Sequence, residues 1–302
     1  MKAKAKKYKE PKDTEGKVFE ELVHYISKNG VQKSIKPIFK TDDTALYLGD
    51  SLEVLSRFPD NYVDMIFADP PYMLSNDGFT CHAGRMVPVN KGEWDKSKGF
   101  ENDLLFHEAW IKECRRVLKP NGTIWITGTY HSIYQCGFLL QKLNFHILND
   151  VAWFKPNAAP NLSCRFFTAS HETVIWARKD KKVKHYFDYK AMKEGNFPED
   201  KMKKPNLQMR SVWSINTPKP AENFFGKHPT QKPLGLLKRI VLASTKENDI
   251  ILDPFCGGGT TAVAAKMIGN RKFIGVDVDE KYIELTIKRY NLLLPDNSPH
   301  LV

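Results

Sequence analysis

The segment Asp253-Pro254-Phe255-Cys256-Gly257-Gly258-Gly259-Thr260-Thr261 decides the fold of this 302-residue chain. It follows a short apolar run at 249–252, typical of a buried strand, and precedes the alanine-rich stretch 260–267, which favours a helix. A second apolar run, 272–276, ends at Asp277. This succession predicts a strand, a glycine-rich turn, a helix and a further strand that ends in a carboxylate, which is the pattern of a nucleotide-binding α/β unit.

The three consecutive glycines indicate that the backbone approaches a ligand closely, because a residue without a Cβ atom leaves room there. A carboxylate such as Asp277 can accept hydrogen bonds from ribose hydroxyls. An NAD site uses the same features, and three glycines also suit a flexible turn, so this segment alone leaves the ligand open. A phosphate-binding P-loop is excluded, since no Gly-Lys-Ser/Thr sequence follows the glycines.

A second informative segment, Asp69-Pro70-Pro71-Tyr72, follows the apolar run 63–68. That run is typical of a parallel strand buried on both faces, so Asp69 is predicted to lie at the carboxyl end of a strand. Two successive prolines cannot continue a β-ladder, and the chain must leave the sheet in a stiff turn. We expect this turn to hold Asp69 and Tyr72 in fixed positions.

The residue types in this turn suit a planar substrate that carries an exocyclic amino group. The lone pair of such an amine is conjugated into the ring, and a carboxylate and a carbonyl that accept its two hydrogens would favour a more nucleophilic nitrogen. The ring of Tyr72 is expected to stack on the face of the base. A proline pair that merely ends a strand, with Asp69 capping the turn, is the alternative for this tetrapeptide taken alone.

Short apolar runs alternate with amphipathic stretches from residue 44 onward. The further predicted elements are strands at 45–48 and 123–127 and helices near 52–57 and 104–118. This alternation predicts an α/β fold with a doubly wound, parallel, Rossmann-like sheet. Ligands bind such sheets beyond the carboxyl ends of the strands, where the strand order reverses, so we expect the strands before Asp69 and Asp253 to be neighbours.

The order of the two segments, with Asp69-Pro70-Pro71-Tyr72 before the glycine-rich segment 253–261, resembles that of the permuted, β-type DNA amino-methyltransferases. In that family the catalytic motif precedes the cofactor motif, and the chain is most similar to its adenine-N6-specific, DpnA-like members from bacterial restriction systems. Four further blocks carry the resemblance, which extends from about residue 44 to residue 290. They are Gly49-Asp50-Ser51, the stretch 110–122, His171-Glu172-Thr173-Val174-Ile175-Trp176 and His228-Pro229-Thr230-Gln231-Lys232-Pro233. The resemblance implies S-adenosylmethionine as cofactor and DNA as substrate.

The resemblance also implies roles for single residues. The residues implied to act on the target amine are Asp69, Pro70, Pro71 and Tyr72. Those implied to bind the cofactor are Asp50, Asp69, Lys232, Asp253, Phe255, Gly257, Gly259, Thr260 and Asp277. Within this set Asp277 would bind the ribose, Asp50 the adenine amine and Thr260 the carboxylate of the cofactor. Cys256 departs from many members of the family, which carry another small or apolar residue there.

Composition agrees with a large basic α/β protein. At 41% hydrophobic residues the chain can bury one large core with an inserted lobe. A formal net charge of +11 and a pI of about 9.2 suit a partner that is a polyanion, although a generically basic protein would show the same balance.

Cysteine usage and hydropathy limit the cellular setting. Five cysteines without a Cys-x-x-Cys spacing, in a chain with no segment resembling a secretory signal, predict a reduced, cytoplasmic protein. Histidine and cysteine spacings fit no zinc site, so no metal is predicted. Apolar runs stay far below the roughly 20 residues that span a bilayer, so no membrane association is expected.

The predicted organisation has four parts. They are a basic tail at 1–17, a catalytic half at 18–154, an inserted target-recognition lobe at 155–222 and a cofactor-binding half of the same core at 223–302. The recognition region interleaves basic and aromatic residues, which suits phosphate neutralisation and base contacts, while an ordinary lobe with a small aromatic core is the alternative. The loop at 73–98 is either a lid over the base or a mobile surface loop. The candidate DNA contacts in these two regions are Arg85, Lys91, Arg165, Arg178, Lys182 and Arg210.

The residues that are missing narrow the chemistry. Methylation at cytosine C5 needs a cysteine nucleophile. In the cytosine-C5 methyltransferases this cysteine follows a proline, and the present chain has no Pro-Cys pair. The cytosine-N4 members of the resembled family typically carry serine at the start of the tetrapeptide, so Asp69 favours adenine N6 over cytosine N4. The alternatives kept open are a cytosine-N4 enzyme, an RNA or protein amino-methyltransferase and an inactive DNA-binding homologue. The resemblance also leaves open activity on single-stranded as well as duplex DNA, and a homodimer.

Overall fold

The computed structural model describes residues 35–293 except 76–78, 83–84, 89–91 and 93–94, with only the course of the main chain at 79–82 and 85–88. The predicted tail at 1–17 and Lys91 lie outside the described residues. The strands are β1 (Phe39–Lys40), β2 (Thr44–Leu48), β3 (Val63–Ala68), β4 (Phe79–His82), β5 (Arg85–Pro88), β6 (Leu118–Gly128), β7 (His146–Phe154), β8 (His171–Arg178), β9 (Val212–Ser214), β10 (Ile250–Asp253) and β11 (Lys272–Asp277). The helices are α1 (Ser51–Leu55), α2 (Phe100–Val117), α3 (Ile133–Lys142), α4 (Tyr189–Glu194), α5 (Leu234–Ser244), α6 (Thr260–Ile268) and α7 (Glu280–Asn291).

One nine-stranded sheet organises the described part of the chain, in the order β1-β2-β11-β10-β3-β6-β8-β7-β9. The strands from β2 to β6 in this order are parallel, whereas β8 is antiparallel to both of its neighbours. The predicted α/β sheet is therefore confirmed, with an antiparallel portion beyond β6. Strands β4 and β5 form a separate antiparallel ribbon.

The expected adjacency of the two motif-bearing strands is also confirmed. Strands β3 and β10 are parallel neighbours, with Met65 opposite Ile251 and Ile66 opposite Leu252. A separation of about 180 residues in the sequence is thus closed in the sheet, and both strands end at the same edge.

Helices cover both faces of the sheet, because its central strands are apolar on both sides. Alternate residues of β3 show this: Ile66 packs in a cluster with α1, α2 and α3, whereas Met65 and Phe67 pack with α5, α6 and α7. The parallel strands are buried along nearly their whole length, which explains their continuous apolar runs. None of the described helices is both long enough and apolar enough to span a membrane.

The predicted boundary at residue 155 does not coincide with the edge of the sheet. Strand β8 lies between β6 and β7, and β9 extends the sheet beyond β7. The stretch 155–222 therefore contributes two strands to the sheet, and its remaining segments, 155–170, 179–211 and 215–222, lie outside the sheet. The physical reason is the antiparallel pairing of β7 with β8 along eight registered pairs, which makes these two strands one hairpin.

Candidate active site

The turn after β3 holds a carboxylate in a dense set of hydrogen bonds. Asp69 follows the last residue of β3, and its Oδ1 accepts from the hydroxyls of Tyr72 at 2.7 Å and Thr127 at 2.6 Å. Its Oδ2 accepts from Lys232 Nζ at 2.7 Å. Three donors from separate parts of the chain thus fix the orientation of this carboxylate.

The turn itself is anchored by Asp95, which is fully buried. Its Oδ1 accepts from the backbone N–H groups of Tyr72 and Met73 at 2.9 and 3.0 Å. Its Oδ2 accepts from the N–H of Leu74 at 3.2 Å and the hydroxyl of Ser75 at 2.9 Å. Met73 adopts a φ of 58°, a strained value for a residue with a side chain, and this carboxylate supplies the compensating contacts.

A second carboxylate, Glu172 on β8, lies on the other side of Tyr72. Its Oε2 accepts from the Tyr72 hydroxyl at 3.1 Å and lies 3.7 Å from Lys232 Nζ, and its Oε1 accepts from Lys155 Nζ at 3.1 Å. Charges of opposite sign therefore alternate along Asp69, Lys232, Glu172 and Lys155. The ammonium of Lys232 also lies 5.1 Å from the centre of the Tyr72 ring, which is only 4% exposed, so little of this ring is left for the predicted stacking on a base.

The charge states in this cluster follow from its pairing. Burial lowers the pKa of Lys232, but Asp69 and Glu172 outweigh that effect and the pKa is raised overall. Burial raises the pKa of Glu172, but Lys232 and Lys155 outweigh it and the pKa is lowered overall. Burial, with Asp69 and Glu172 nearby, raises the pKa of Tyr72 well above its ordinary value, so its hydroxyl keeps its proton and acts as a donor.

The glycine-rich turn between β10 and α6 has the backbone that only glycine favours. Gly257 and Gly259 have φ values of 50° and 70°. A Cβ atom on Gly259 would lie 2.4 Å from a methyl carbon of Thr286, so α7 packs directly against the turn. Asp277, at the end of β11, accepts from the N–H of Gly257 at 2.6 Å and from that of Asp279 at 2.9 Å. Burial raises its pKa.

An arginine on α7, Arg289, donates hydrogen bonds to the same turn. The guanidinium of Arg289 donates to the carbonyl of Gly258 and, at 3.1 Å, to the hydroxyl of Thr260. Thr286, one turn earlier on the helix, donates to the carbonyl of Gly257 at 3.0 Å. Helix α7 therefore satisfies polar groups that the turn leaves unpaired, and it fixes the position of Thr260.

Asp253 lies at the floor of the site. Its carboxylate accepts from the hydroxyl of Thr261 at 2.6 Å and from the N–H of Phe255 at 3.1 Å. Burial raises its pKa to about 7. Phe255 packs edge-on against Trp110 with ring centroids 5.3 Å apart, so its ring has a fixed orientation.

A cavity of about 350 Å³ brings most of the predicted cofactor residues together. Those that line it are Asp50, Asp69, Lys232, Asp253, Phe255, Gly257, Thr260 and Asp277. Gly259 is not among the lining residues and instead packs on Thr286. Asp50 also caps α1, where it accepts from the N–H of Leu52 at 2.8 Å.

The charges of this cavity discriminate between cofactors. Its lining includes six aspartates and three lysines, so carboxylates predominate. A dinucleotide would bring two negative phosphates into this field, whereas S-adenosylmethionine carries a sulfonium, an ammonium and one carboxylate, so that its net charge is positive. The residues present therefore fit S-adenosylmethionine better than NAD.

A second cavity, of about 710 Å³, lies on the other side of the Lys232 side chain. Tyr72, Lys155 and Glu172 line it, and its lining shares Thr230, Gln231 and Lys232 with the first cavity. The exposed aromatic and histidine side chains that line it are Tyr130, His131, Tyr134, Phe167 and His171. The cluster around Asp69 is therefore the partition between the two cavities.

The predicted DNA contacts are scattered. Arg165 is exposed in the segment that carries Phe167, beside the second cavity. Arg178 ends β8 opposite Thr123 of β6, whereas the start of β8 pairs with the end of β6 that adjoins the site. Arg178 and the exposed Lys182 after it thus lie toward the opposite edge of the sheet, and the structure does not bring them to the cavities.

The remaining candidates do not adjoin the cavities through any described side chain. Arg210 is exposed just before β9, at the outer end of the sheet. Only the main chain of Arg85, on β5, is described. Over the residues with described side chains, no group of histidine, cysteine, aspartate and glutamate side chains could hold a metal ion.

Comparison with known proteins decides the family. Residues 63–288 match the N6/N4 methyltransferase family, described as "DNA methylase". The chain belongs to this family. A DNA methylase of this kind uses S-adenosylmethionine as its cofactor and DNA as its substrate, and both predictions are confirmed.

This DNA methylase matches its relatives over nearly the whole of their length. It is 50% identical over 257 residues to the Type II methyltransferase M2.LlaDCHI of Lactococcus lactis subsp. cremoris, with 85% of this chain and 92% of the relative covered. It is 49% identical over 255 residues to the Type II methyltransferase M2.DpnII of Streptococcus pneumoniae, with 84% and 92% covered. These relatives confirm the predicted resemblance to methylases of restriction systems.

Solved structures confirm the fold. The complex of M1.HpyAVI with SAM superposes with a TM-score of 0.60 at 26% identity, covering 82% of this chain and all of the other. The cytosine-N4-specific PvuII DNA methyltransferase superposes with a TM-score of 0.62 at 20% identity, covering 88% and 99%, and this likeness concerns the fold alone.

Several residues of the methylase site were not predicted to have a role. They are Asp95, Thr127, Lys155, Glu172 and Arg289. Glu172 lies in one of the blocks that carried the resemblance, so a polar residue next to the apolar run of β8 was an available signal. Asp95 lies in a long polar loop without periodicity, and nothing in the sequence distinguishes it from a surface carboxylate.

Proposed function

We propose that this methylase transfers a methyl group to N6 of adenine in DNA, with Asp69 accepting a hydrogen bond from the target amine. The observation that supports this most directly is the position of the Asp69–Lys232 pair between two cavities. A methyl donor in one cavity and a target base in the other would meet at this carboxylate. Aspartate rather than serine at this position favours adenine over cytosine.

The first cavity is proposed to hold the cofactor. S-adenosylmethionine supplies a methyl group on a positively charged sulfur when it is bound. Asp277 would bind the ribose, Asp50 the adenine amine and Thr260 the carboxylate, and Phe255 would contact the adenine ring. The support is that all four line the same cavity, with Thr260 and Phe255 held by Arg289 and Trp110.

The second cavity is proposed to receive the target adenine. Its volume of about 710 Å³ exceeds that of the cofactor cavity, and its rim carries exposed aromatic side chains, including Tyr134 and Phe167. An adenine must leave the duplex stack to reach it, at a cost of a few kcal/mol, or be presented in a single strand. Both kinds of DNA are therefore proposed substrates, with Arg165 near the entrance as a phosphate contact.

The cellular setting and the assembly are proposals as well. Cys114, Cys136, Cys164 and Cys256 are all free thiols, which supports a cytoplasmic location. Exposed apolar side chains on α2 and α3, Leu105 and Phe138, support a homodimer. Light scattering of the purified protein would test the oligomeric state.

Transfer of a labelled methyl group tests the activity. The purified enzyme is incubated with S-adenosylmethionine and duplex DNA, single-stranded DNA or RNA, and the modified nucleoside is identified by mass. N6-methyladenine in DNA is expected. N4-methylcytosine would overturn the base assignment while keeping the site, and transfer to RNA alone would overturn the substrate. Asp69→Ala should abolish transfer and leave DNA affinity unchanged, since it removes the proposed acceptor and leaves the basic recognition region intact. Because it also removes the 2.7 Å partner of the buried Lys232 ammonium, urea unfolding is measured alongside to show that the variant is folded.

A further inference from the structure

The hydroxyl of Tyr72 lies between two carboxylates. It is 2.7 Å from Asp69 Oδ1 and 3.1 Å from Glu172 Oε2. A phenol has a single hydrogen to donate, so the hydroxyl can make a good hydrogen bond to only one of the two at a time. Both acceptors belong to stiff parts of the fold: Asp69 follows β3, and Glu172 is the second residue of β8.

Asp69 has little remaining capacity to accept a hydrogen bond. A carboxylate offers about four lone-pair positions. Three of these are used by Tyr72, Thr127 and Lys232. A target amine that approaches Asp69 Oδ1 would therefore compete with Tyr72 and Thr127, which both donate to that oxygen. Thr127 and Lys232 have backbone carbonyls as second acceptors, at 3.4 and 3.2 Å, whereas the Tyr72 hydroxyl has a second carboxylate at hydrogen-bond distance.

We propose that Glu172 is a positioning residue for methyl transfer, which accepts the Tyr72 hydroxyl when the target amine binds to Asp69. This inference rests on the proposed role of Asp69. A shift of one hydrogen bond from Asp69 to Glu172 opens a lone pair on Oδ1 while the Tyr72 ring stays in place. Glu172 thus acts through Tyr72, and it lines the second cavity, from which the amine would arrive.

The surroundings of Glu172 suit this role. Its side chain is 12% exposed and lies between two ammonium groups, that of Lys155 at 3.1 Å and that of Lys232 at 3.7 Å. These cations keep the carboxylate ionised in a buried place, and an ionised acceptor makes the stronger hydrogen bond. When the Tyr72 hydroxyl turns from Asp69 to Glu172, a hydrogen bond moves but no proton is transferred, so the net charge at the site stays the same.

Glu172→Gln tests the proposal, because it keeps the shape and removes the charge. Turnover on DNA should fall by about ten- to a hundredfold, which is the range for the loss of a charged hydrogen-bond partner, with KM for S-adenosylmethionine and for DNA within about twofold of wild type. Glu199→Gln is the matched control. It removes a carboxylate from a buried cation, Arg239, at 3.1 Å and outside both cavities, and it should leave turnover unchanged.

A double-mutant cycle with Tyr72→Phe separates positioning from a general structural effect. Without the hydroxyl, one lone pair of Asp69 Oδ1 is open from the start and Glu172 has no Tyr72 hydrogen bond to accept, so Glu172→Gln should cost at most about twofold in the Tyr72→Phe background. Equal costs in both backgrounds would overturn the proposal. So would wild-type turnover of Glu172→Gln, or a parallel rise in both KM values.

A second variant covers the case in which Glu172→Gln does not fold. Glu172→Asp keeps the charge beside Lys232 but withdraws the carboxylate by one methylene from Tyr72, so turnover should still fall by about tenfold. Wild-type turnover of this variant would overturn the proposal. The proposed base is tested separately by the product of the wild-type enzyme, since cytosine methylation would refute adenine N6 and leave the Glu172 comparison intact.

Discussion

Lys232 donates a 2.7 Å hydrogen bond to Asp69 across 163 residues of sequence. The side chains of the two residues are only 5% and 13% exposed, and the pair separates the cofactor cavity from the cavity proposed for the base. Lys232 was predicted as a cofactor ligand, and it does line the cofactor cavity. Lys232 also contacts Asp69 and Glu172 and lines the second cavity, so it lies where the two cavities meet.

Replacement of Lys232 by methionine should abolish methyl transfer and reduce stability. Removal of one partner from a buried ion pair costs about 3–5 kcal/mol, because the other charge is left unpaired. Lys119→Met is the control. Lys119 pairs at 2.8 Å with Asp64, which lies on β3, the strand that precedes Asp69, but at the end of that strand away from the site. Turnover and urea unfolding measure both effects. A fully active Lys232→Met enzyme would contradict the arrangement described for Asp69.

Gly259→Ala should destabilise the fold and weaken cofactor binding. Both Gly259 and Gly269 have positive φ angles, 70° and 77°, but only at Gly259 would a Cβ atom meet Thr286, at 2.4 Å. Gly269→Ala should therefore cost about 1 kcal/mol and Gly259→Ala about 2–4 kcal/mol. Urea unfolding and calorimetric titration with S-adenosylmethionine distinguish them. Equal losses in the two variants would mean that packing on α7 does not matter.

Asp95→Ala should lower turnover although Asp95 touches neither substrate. Its carboxylate satisfies three backbone N–H groups and one hydroxyl of residues 72–75, so its loss leaves buried donors unpaired at a cost of about 3 kcal/mol or more. Asp188→Ala, which removes a helix cap on α4, serves as control and should keep full turnover. Unchanged turnover of Asp95→Ala would show that the turn holds its shape without this anchor.

Affinity for S-adenosylmethionine should rise with pH near neutrality. Burial raises the pKa of Asp253 to about 7, so this group is mostly protonated at pH 6 and mostly ionised at pH 8. A cationic ligand prefers the ionised form, and the affinity should increase by about tenfold over this range. Calorimetric titrations at pH 6, 7 and 8 measure it. Asp253→Asn should lose most of the pH dependence, and an equal slope in this variant would assign the effect to another group.

The same pKa shift has a defined sign for stability. Because the pKa of Asp253 is higher in the folded than in the unfolded chain, the native state binds a proton more readily. This group therefore favours the folded state most below pH 4, and that contribution is lost as the pH rises to about 7. Bound S-adenosylmethionine should oppose the loss, which thermal unfolding with and without the cofactor would detect.

The sequence predicted the elements that local pattern specifies. The apolar runs before Asp69 and Asp253 form neighbouring parallel strands, and the glycine turn at 257–259 joins a strand to a helix as expected. It did not predict that β8 belongs to the sheet, since an antiparallel strand paired with its neighbour β7 departs from the strand–helix alternation that was used to find the core. The predicted recognition region at 155–222 therefore includes two strands of this sheet, β8 and β9.

By itself, the sequence of this protein determined the α/β class, the order of the two motifs and the identities of Asp69, Asp253 and the glycines, because short-range periodicity, proline geometry and glycine freedom are properties of neighbouring residues. Only the tertiary structure decided what surrounds Asp69. Tyr72 lies three residues away, but Thr127, Glu172 and Lys232 reach the site from other elements, and their side chains meet only after the sheet and its covering helices have packed. Long-range placement of buried charges depends on the whole fold, so the sequence blocks that contain Glu172 and Lys232 could mark these residues but not the contacts that they make.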